Sequence, residues 1–170
     1  NLCLINIDTD GSEVWHSLYG GGNSDGGNHV SEVSGGGFII AGSSRSYGNG
    51  NWDDMWLVKT STGGSMEWQK TYGGNYTEIG NYVHEKIGGG YIITGSTESI
   101  GQGLYDIWVV STDYTGNEIY SQTFGGNMDD KALRGSKSDN GELLVIGYTN
   151  SFGNGEEDVL FIKIDPNYQP

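Results

Sequence analysis

Apolar residues along this chain come in short runs broken by glycine-rich turns, and no window carries a helical 3.6-residue period. In the middle of the sequence these runs cover 81–86, 91–96, Asp106–Thr112 and Glu118–Phe124, with Gly88-Gly89-Gly90 between the first two. β-Branched and aromatic residues crowd them, as in Tyr91-Ile92-Ile93-Thr94 and Ile107-Trp108-Val109-Val110. Such side chains suit a pleated, packed surface, so the pattern predicts strands joined by tight hairpins and little or no helix.

The same four runs recur. Trp15, Trp68 and Tyr120 lie 53 and then 52 residues apart, and Gly42, Gly95 and Gly147 keep both intervals. So do the aromatic-Gly-Gly triplets that begin at Tyr19, Tyr72 and Phe124. Four antiparallel strands per repeat of about 50 residues, in tandem, is the sequence form of a β-propeller blade. A β-solenoid is the alternative, but its coils are shorter and lack recurring hairpins. The expected fold class is therefore all-β, a partial or oligomer-completed propeller ring in one repeat domain spanning 1–170. Residues 1–19 supply the last two strands of a first blade, 28–72 and 81–124 make two whole blades, and 131–164 give three strands of a further one.

One spacing sharpens the reading. Asp8, Gly11 and Trp15 recur as Asp113, Gly116 and Tyr120, while the middle copy keeps Gly64 and Trp68 with Ser61 in place of the acid. This D-x-x-G-x-x-x-W form resembles the docking motif of the quinoprotein-like (PQQ-like) propellers. The resemblance implies that the aromatic packs between neighbouring blades while the acid and glycine shape the hairpin. With its G-G-Y-I-I-x-G-S and D-x-W-L-V-K stretches, the whole repeat also looks like the tandem propeller repeats of bacterial and archaeal surface proteins. The resemblance to quinoproteins does not carry their redox chemistry, because the adjacent cysteine pair seen in many of those enzymes is impossible with Cys3 alone.

Composition narrows the partners. Eight basic against 22 acidic residues leave a formal charge of −14, a surface that repels phosphate backbones and excludes nucleic acid as a natural partner. No run of 18 apolar residues is present, so no helical membrane span is expected. A single cysteine rules out an intrachain disulfide; aligned with Trp56, Trp108 and Leu160, Cys3 is expected to be a buried strand residue. The chain opens at Asn1 inside a repeat, which leaves room for a removed signal peptide or earlier repeats. An extracellular or cell-surface location fits this picture.

Candidate chemistry gathers at two recurring acidic positions. Asp25, Glu78 and Asp130 follow the aromatic-Gly-Gly turns, and Asp54, Asp106 and Asp158 open each third run. In a meandering blade both loop types lie at one end, so six carboxylates are expected to crowd one face, some near the channel mouth. They fit either a calcium site or turn-forming side chains that accept backbone N–H bonds. Asp8-Thr9-Asp10-Gly11 lacks the full ligand set of a calcium loop and reads as a hairpin turn. Trp52, Tyr76 and Tyr105 sit in loops at the acidic end, where stacking rings beside polar groups suit a glycan or protein ligand. Trp15, Trp56, Trp68, Trp108 and Tyr120 belong to strands and read as packing. His16, His29 and His84 have no zinc-ligand spacing. Asn75-Tyr76-Thr77 is a glycosylation acceptor triplet in a host that modifies exports.

No nucleophile elbow and no phosphate loop opening a helix is present. The expected function is a non-catalytic scaffold or interaction module, its partners being further blades of the same chain or other copies. Calcium is the one cofactor its acids suggest. A carbohydrate- or calcium-binding propeller is the first alternative. A propeller enzyme (quinone-dependent dehydrogenase, lyase or hydrolase) is the second, with Arg134 beside Asp129, Asp130 and Lys131 its sole candidate cluster.

Overall fold

A computed structural model describes residues 1–165 and shows an all-β chain, with no helix among those residues. β1 (Leu2–Ile7) pairs with β2 (Glu13–Tyr19). β3 (Asp25–Glu32), β4 (Phe38–Ser44), β5 (Asp54–Thr60) and β6 (Met66–Tyr72) form a four-stranded sheet. A second is built from β7 (Glu78–Glu85), β8 (Tyr91–Thr97), β9 (Asp106–Thr112) and β10 (Glu118–Phe124). β11 (Asp130–Lys137), β12 (Leu143–Thr149) and β13 (Asp158–Ile164) complete the set. Every sheet is an antiparallel meander in chain order, and the four sheets form no closed ring among the described residues.

The full sheets begin at Asp25 and Glu78, three residues ahead of the expected 28 and 81. Gly26-Gly27 and Ile79-Gly80, outside the expected strands, pair with β4 and β8. A register shift follows at once, between Gly27 and His29, Gly80 and Tyr82, and Ala132 and Arg134. The bulge pushes the first strand onto the second. A Cβ on Gly42, Gly95 or Gly147 would fall onto the carbonyl oxygen of Gly26, Ile79 or Lys131 respectively, which explains the repeated glycine.

Side chains alternate between the two faces of a strand, so a central strand can meet both neighbouring sheets. On β5, Met55 and Leu57 pack with Ile93, Trp108 and Val110 of the next sheet. Trp56 and Val58 on the opposite face pack with Leu2 and Tyr19 of the preceding one. Ile92, Ile107 and Val109 repeat the arrangement against Ala132, Leu143 and Val145. Each fully buried aliphatic chain in these layers contributes roughly 1.5–3 kcal/mol. The core is thus a series of apolar layers between sheets.

Cys3 departs from expectation: it is exposed. It lies on the face of β1 turned away from the β3–β6 sheet, beside the exposed Ile5, and no preceding sheet covers that face. Its aligned counterparts Trp56 and Trp108 are buried because each has one.

Hairpins link the layers at their edges. Gly64 and Gly116 have positive φ in the turns before β6 and β10. A side chain on Gly64 would strike the Trp15 ring, and one on Gly116 the Trp68 ring. Trp15 and Trp68 therefore each lie on the hairpin glycine of the following sheet. Asp8 accepts the N–H groups of Asp10 and Ser12, a hairpin turn as its spacing indicated. Asp113 does the same for Thr115 and Asn117, and with the Thr115 hydroxyl these donors hold its carboxyl down at about 2.

Candidate functional site

The recurring acids form cross-strand rows at one end of the sheets. Asp25 pairs with Ser44 and Ser44 with Asp54. Glu78, Thr97 and Asp106 repeat this acid–hydroxyl–acid row, as do Asp130, Thr149 and Asp158. First and third strands of a meander run the same way, so both acids of a row start at the same end.

The first-strand acids are buried and bonded to their own turns. Asp25 accepts the Gly21 N–H at 2.9 Å, the Ser46 hydroxyl at 2.7 Å and the Ser44 hydroxyl. Glu78 accepts the Gly74 N–H at 2.9 Å, the Thr97 hydroxyl at 2.9 Å and the Ser99 N–H at 3.1 Å. Asp130 accepts the Gly126 N–H at 2.8 Å and the Ser151 hydroxyl at 2.6 Å. Burial alone would raise Asp25, but the Ser44 hydroxyl, the Gly21 N–H and Ser46 outweigh it and hold the carboxyl below its ordinary value. The third-strand acids fasten the other loop: Asp54, Asp106 and Asp158 accept the N–H of Asn49, Gln102 and Asn154.

Stacking then joins acids of different rows. Asp54 Oδ1 and Glu78 Oε2 both lie within 2.7 Å of the point where a side chain on Gly73 would start. Asp106 Oδ1 and Asp130 Oδ2 both lie within 2.8 Å of the equivalent point on Gly125. At the first junction the acid's place is taken by Asn1, whose Oδ1 shares the space beside Gly20 with Asp25 Oδ2. The carboxylates meet pairwise between sheets.

Burial raises the carboxyl of Asp54; the Asn49 N–H offsets part of this, and the charges of Glu78 and Asp53 add to it. Burial likewise raises Asp106, against the Gln102 N–H and with the Asp130 charge. Asp54 Oδ1 and Asp130 Oδ1 are buried without a hydrogen-bond partner. Among the described residues, no three His, Cys, Asp or Glu side chains form a metal-holding group.

The three loop aromatics have separate surroundings. Trp52 is 49% exposed in the turn before β5, and Tyr76 is exposed with its N–H bonded to Ser99 Oγ. Tyr105 is half-buried, with Lys131 Nζ 3.8 Å from its ring centroid. Tyr47 was not singled out by position, yet its hydroxyl bonds the Gly20 carbonyl at 2.7 Å and its ring tilts against Trp56. Asn28 and Asn81 were missed as well. From the bulges they donate to the carbonyls of Gly80 and Ala132 in the next sheet, at 3.0 and 2.6 Å. Their fixed 53-residue spacing was the available signal.

His29, Tyr82 and His84 form a ring cluster, with centroids 4.4 Å and 5.6 Å apart. Burial, together with Lys137 and His29, pushes His84 down to about 4. Burial and Arg134 lower His29. No family model matches the chain, and no curated protein matches it.

Proposed function

We propose that this chain is a run of β-propeller blades serving as a non-catalytic scaffold and interaction module of a secreted or cell-surface protein, its two end faces seating further blades. One observation carries the reading. Val159 and Phe161 on β13 occupy the repeat positions of Met55 and Leu57; the latter pair is 0% exposed, whereas Val159 and Phe161 are 77% and 60% exposed. At the opposite end Cys3 and Ile5 hold the positions of Trp56 and Val58. Each open face thus carries the apolar half of an interface that is filled inside the array, and an apolar patch of that kind marks a binding surface. Each of the six recurring acids of the loop end accepts at least one N–H from its own turns, which favours a structural role over catalysis. Propellers typically have four to eight four-stranded blades, and only two of the four described sheets have all four strands.

The mass in solution tests the proposal. Light scattering should show concentration-dependent assembly above the 18.3 kDa chain. The double variant Val159→Lys, Phe161→Lys should reduce it to single chains without loss of sheet signal. A monomer at every concentration, unaffected by the lysines, would sink the claim that these faces seat further blades.

A further inference from the structure

We infer that the Asp54–Glu78 and Asp106–Asp130 junctions are each a site for one hard divalent cation of the calcium class, held between adjacent sheets. At both places two carboxylates with at most 2% exposure face the same small space. Burying two like charges together is costly unless something neutralises them. The basic side chains close in sequence are occupied elsewhere. Arg45 pairs with Asp53 at 3.0 Å, and Lys131 lies over the Tyr105 ring.

A second, independent feature points to a ligand. Asp54 Oδ1 is buried, has no hydrogen-bond partner, and is the oxygen turned towards Glu78 Oε2. Its sister oxygen is held by the Asn49 N–H, which fixes the carboxylate's direction. At the other junction the Asp130 oxygen beside Gly125 is Oδ2, held by Gly126 and Ser151, and the buried, unpartnered Oδ1 is the second atom of that carboxylate; this junction is assigned by its repeat equivalence to the first. Orphaned buried oxygens of this kind call for an ion or water. Calcium takes oxygen ligands from carboxylates, backbone carbonyls and water in flexible geometry, so two carboxylates are a sufficient anionic nucleus. With only two charges per site the affinity belongs in the class of extracellular modules, a Kd on the order of 10⁻⁴–10⁻³ M.

The repeat makes the inference quantitative. Asn1 replaces the acid at the first junction, which leaves only Asp25 as a carboxylate there, and among the described residues Asp158 has no following sheet to face. The chain should therefore bind two equivalents.

Calorimetric titration of the whole chain with Ca²⁺ tests this, with circular dichroism confirming that each variant is folded. The native chain should take up two equivalents. Asp54→Asn and Asp106→Asn should each lose one, and the double variant both. Asn1→Asp leaves the two existing junctions untouched and should gain a third equivalent, so the proposal stays testable if the Asn variants unfold. No saturable binding below about 10 mM, well above the expected range, overturns it. So does unchanged stoichiometry in the double variant, or no gain in Asn1→Asp. A carboxyl pair that shares a proton instead would reveal itself as pH-dependent stability indifferent to Ca²⁺, and that result also overturns the proposal.

Discussion

The phenol of Tyr72 donates a 2.7 Å hydrogen bond to the main-chain carbonyl of Gly116, in the hairpin between β9 and β10 of the following sheet. Tyr19 and Gly64 repeat the bond one sheet earlier. Tyr72 is buried, and burial raises its phenol well above the ordinary value, so it remains a donor across the working pH range. Tyr72→Phe keeps the ring and strands a buried carbonyl. It should lower stability by about 1–3 kcal/mol in urea melts, the range for an unsatisfied buried acceptor. A loss below about 0.5 kcal/mol would show that this bond does not secure the hairpin.

Trp68 lies on that same hairpin glycine and 5.8 Å from the Tyr91 ring centroid. Trp68→Ala should lower stability by roughly 3 kcal/mol, the low end for a large aromatic because the ring is only half-buried. Trp52→Ala, in an exposed turn, should change it by less than about 0.5 kcal/mol. Equal losses would erase the division between packing and loop aromatics.

Gly95→Ala tests the bulge. The new methyl would meet the Ile79 carbonyl oxygen and the Met55 side chain at once. Overpacking of this kind should cost roughly 1–3 kcal/mol in thermal or denaturant unfolding. A neutral substitution would mean that the first strand can lift away from the second.

His84 sets a pH dependence. Its folded value is depressed to about 4, whereas the unfolded imidazole titrates near 6.5. Between those values the unfolded chain binds more protons, so stability is complete above 6.5 and falls as pH drops towards 4. The contribution at stake is about 3 kcal/mol. Ser31 and Ser136 occupy the same repeat position, so His84→Ser is the natural control. It should flatten the stability curve between pH 6.5 and 4 relative to the native chain, and unchanged slopes would remove His84 as the cause.

Strand positions were readable because they follow local chemistry: β-branched runs such as Tyr91-Ile92-Ile93 between glycines have one economical conformation. Trp56 and Trp108 could be placed in the core by their recurrence alone. The common end of the six acids followed from the meander. Their partners did not. Asp54 finds Glu78 through the stacking of two sheets, and no property of either residue encodes that offset. Cys3 shows the converse limit: its alignment with Trp56 was correct, but burial belongs to the neighbour that covers a face and not to the residue. The bulges at Asn28 and Asn81 were hidden because an extra residue in one strand shows only against the register of its partner strand.

The layers between sheets are never symmetric. Met55 and Leu57 meet Trp108 and Val110, a different set of side chains, and the next layer repeats the same direction with Ile107 and Val109 against Val145. Such contacts are head-to-tail, and chemistry alone supplies no stopping rule for them. In the propeller proposed for this chain, growth would end only when the accumulated rotation brings the last sheet back to the first. The number of sheets in such an assembly would consequently be a property of tilt. A substitution that thickens one layer by a methyl group, at Ala41 for instance, would then alter how many sheets close the circle while leaving every sheet intact.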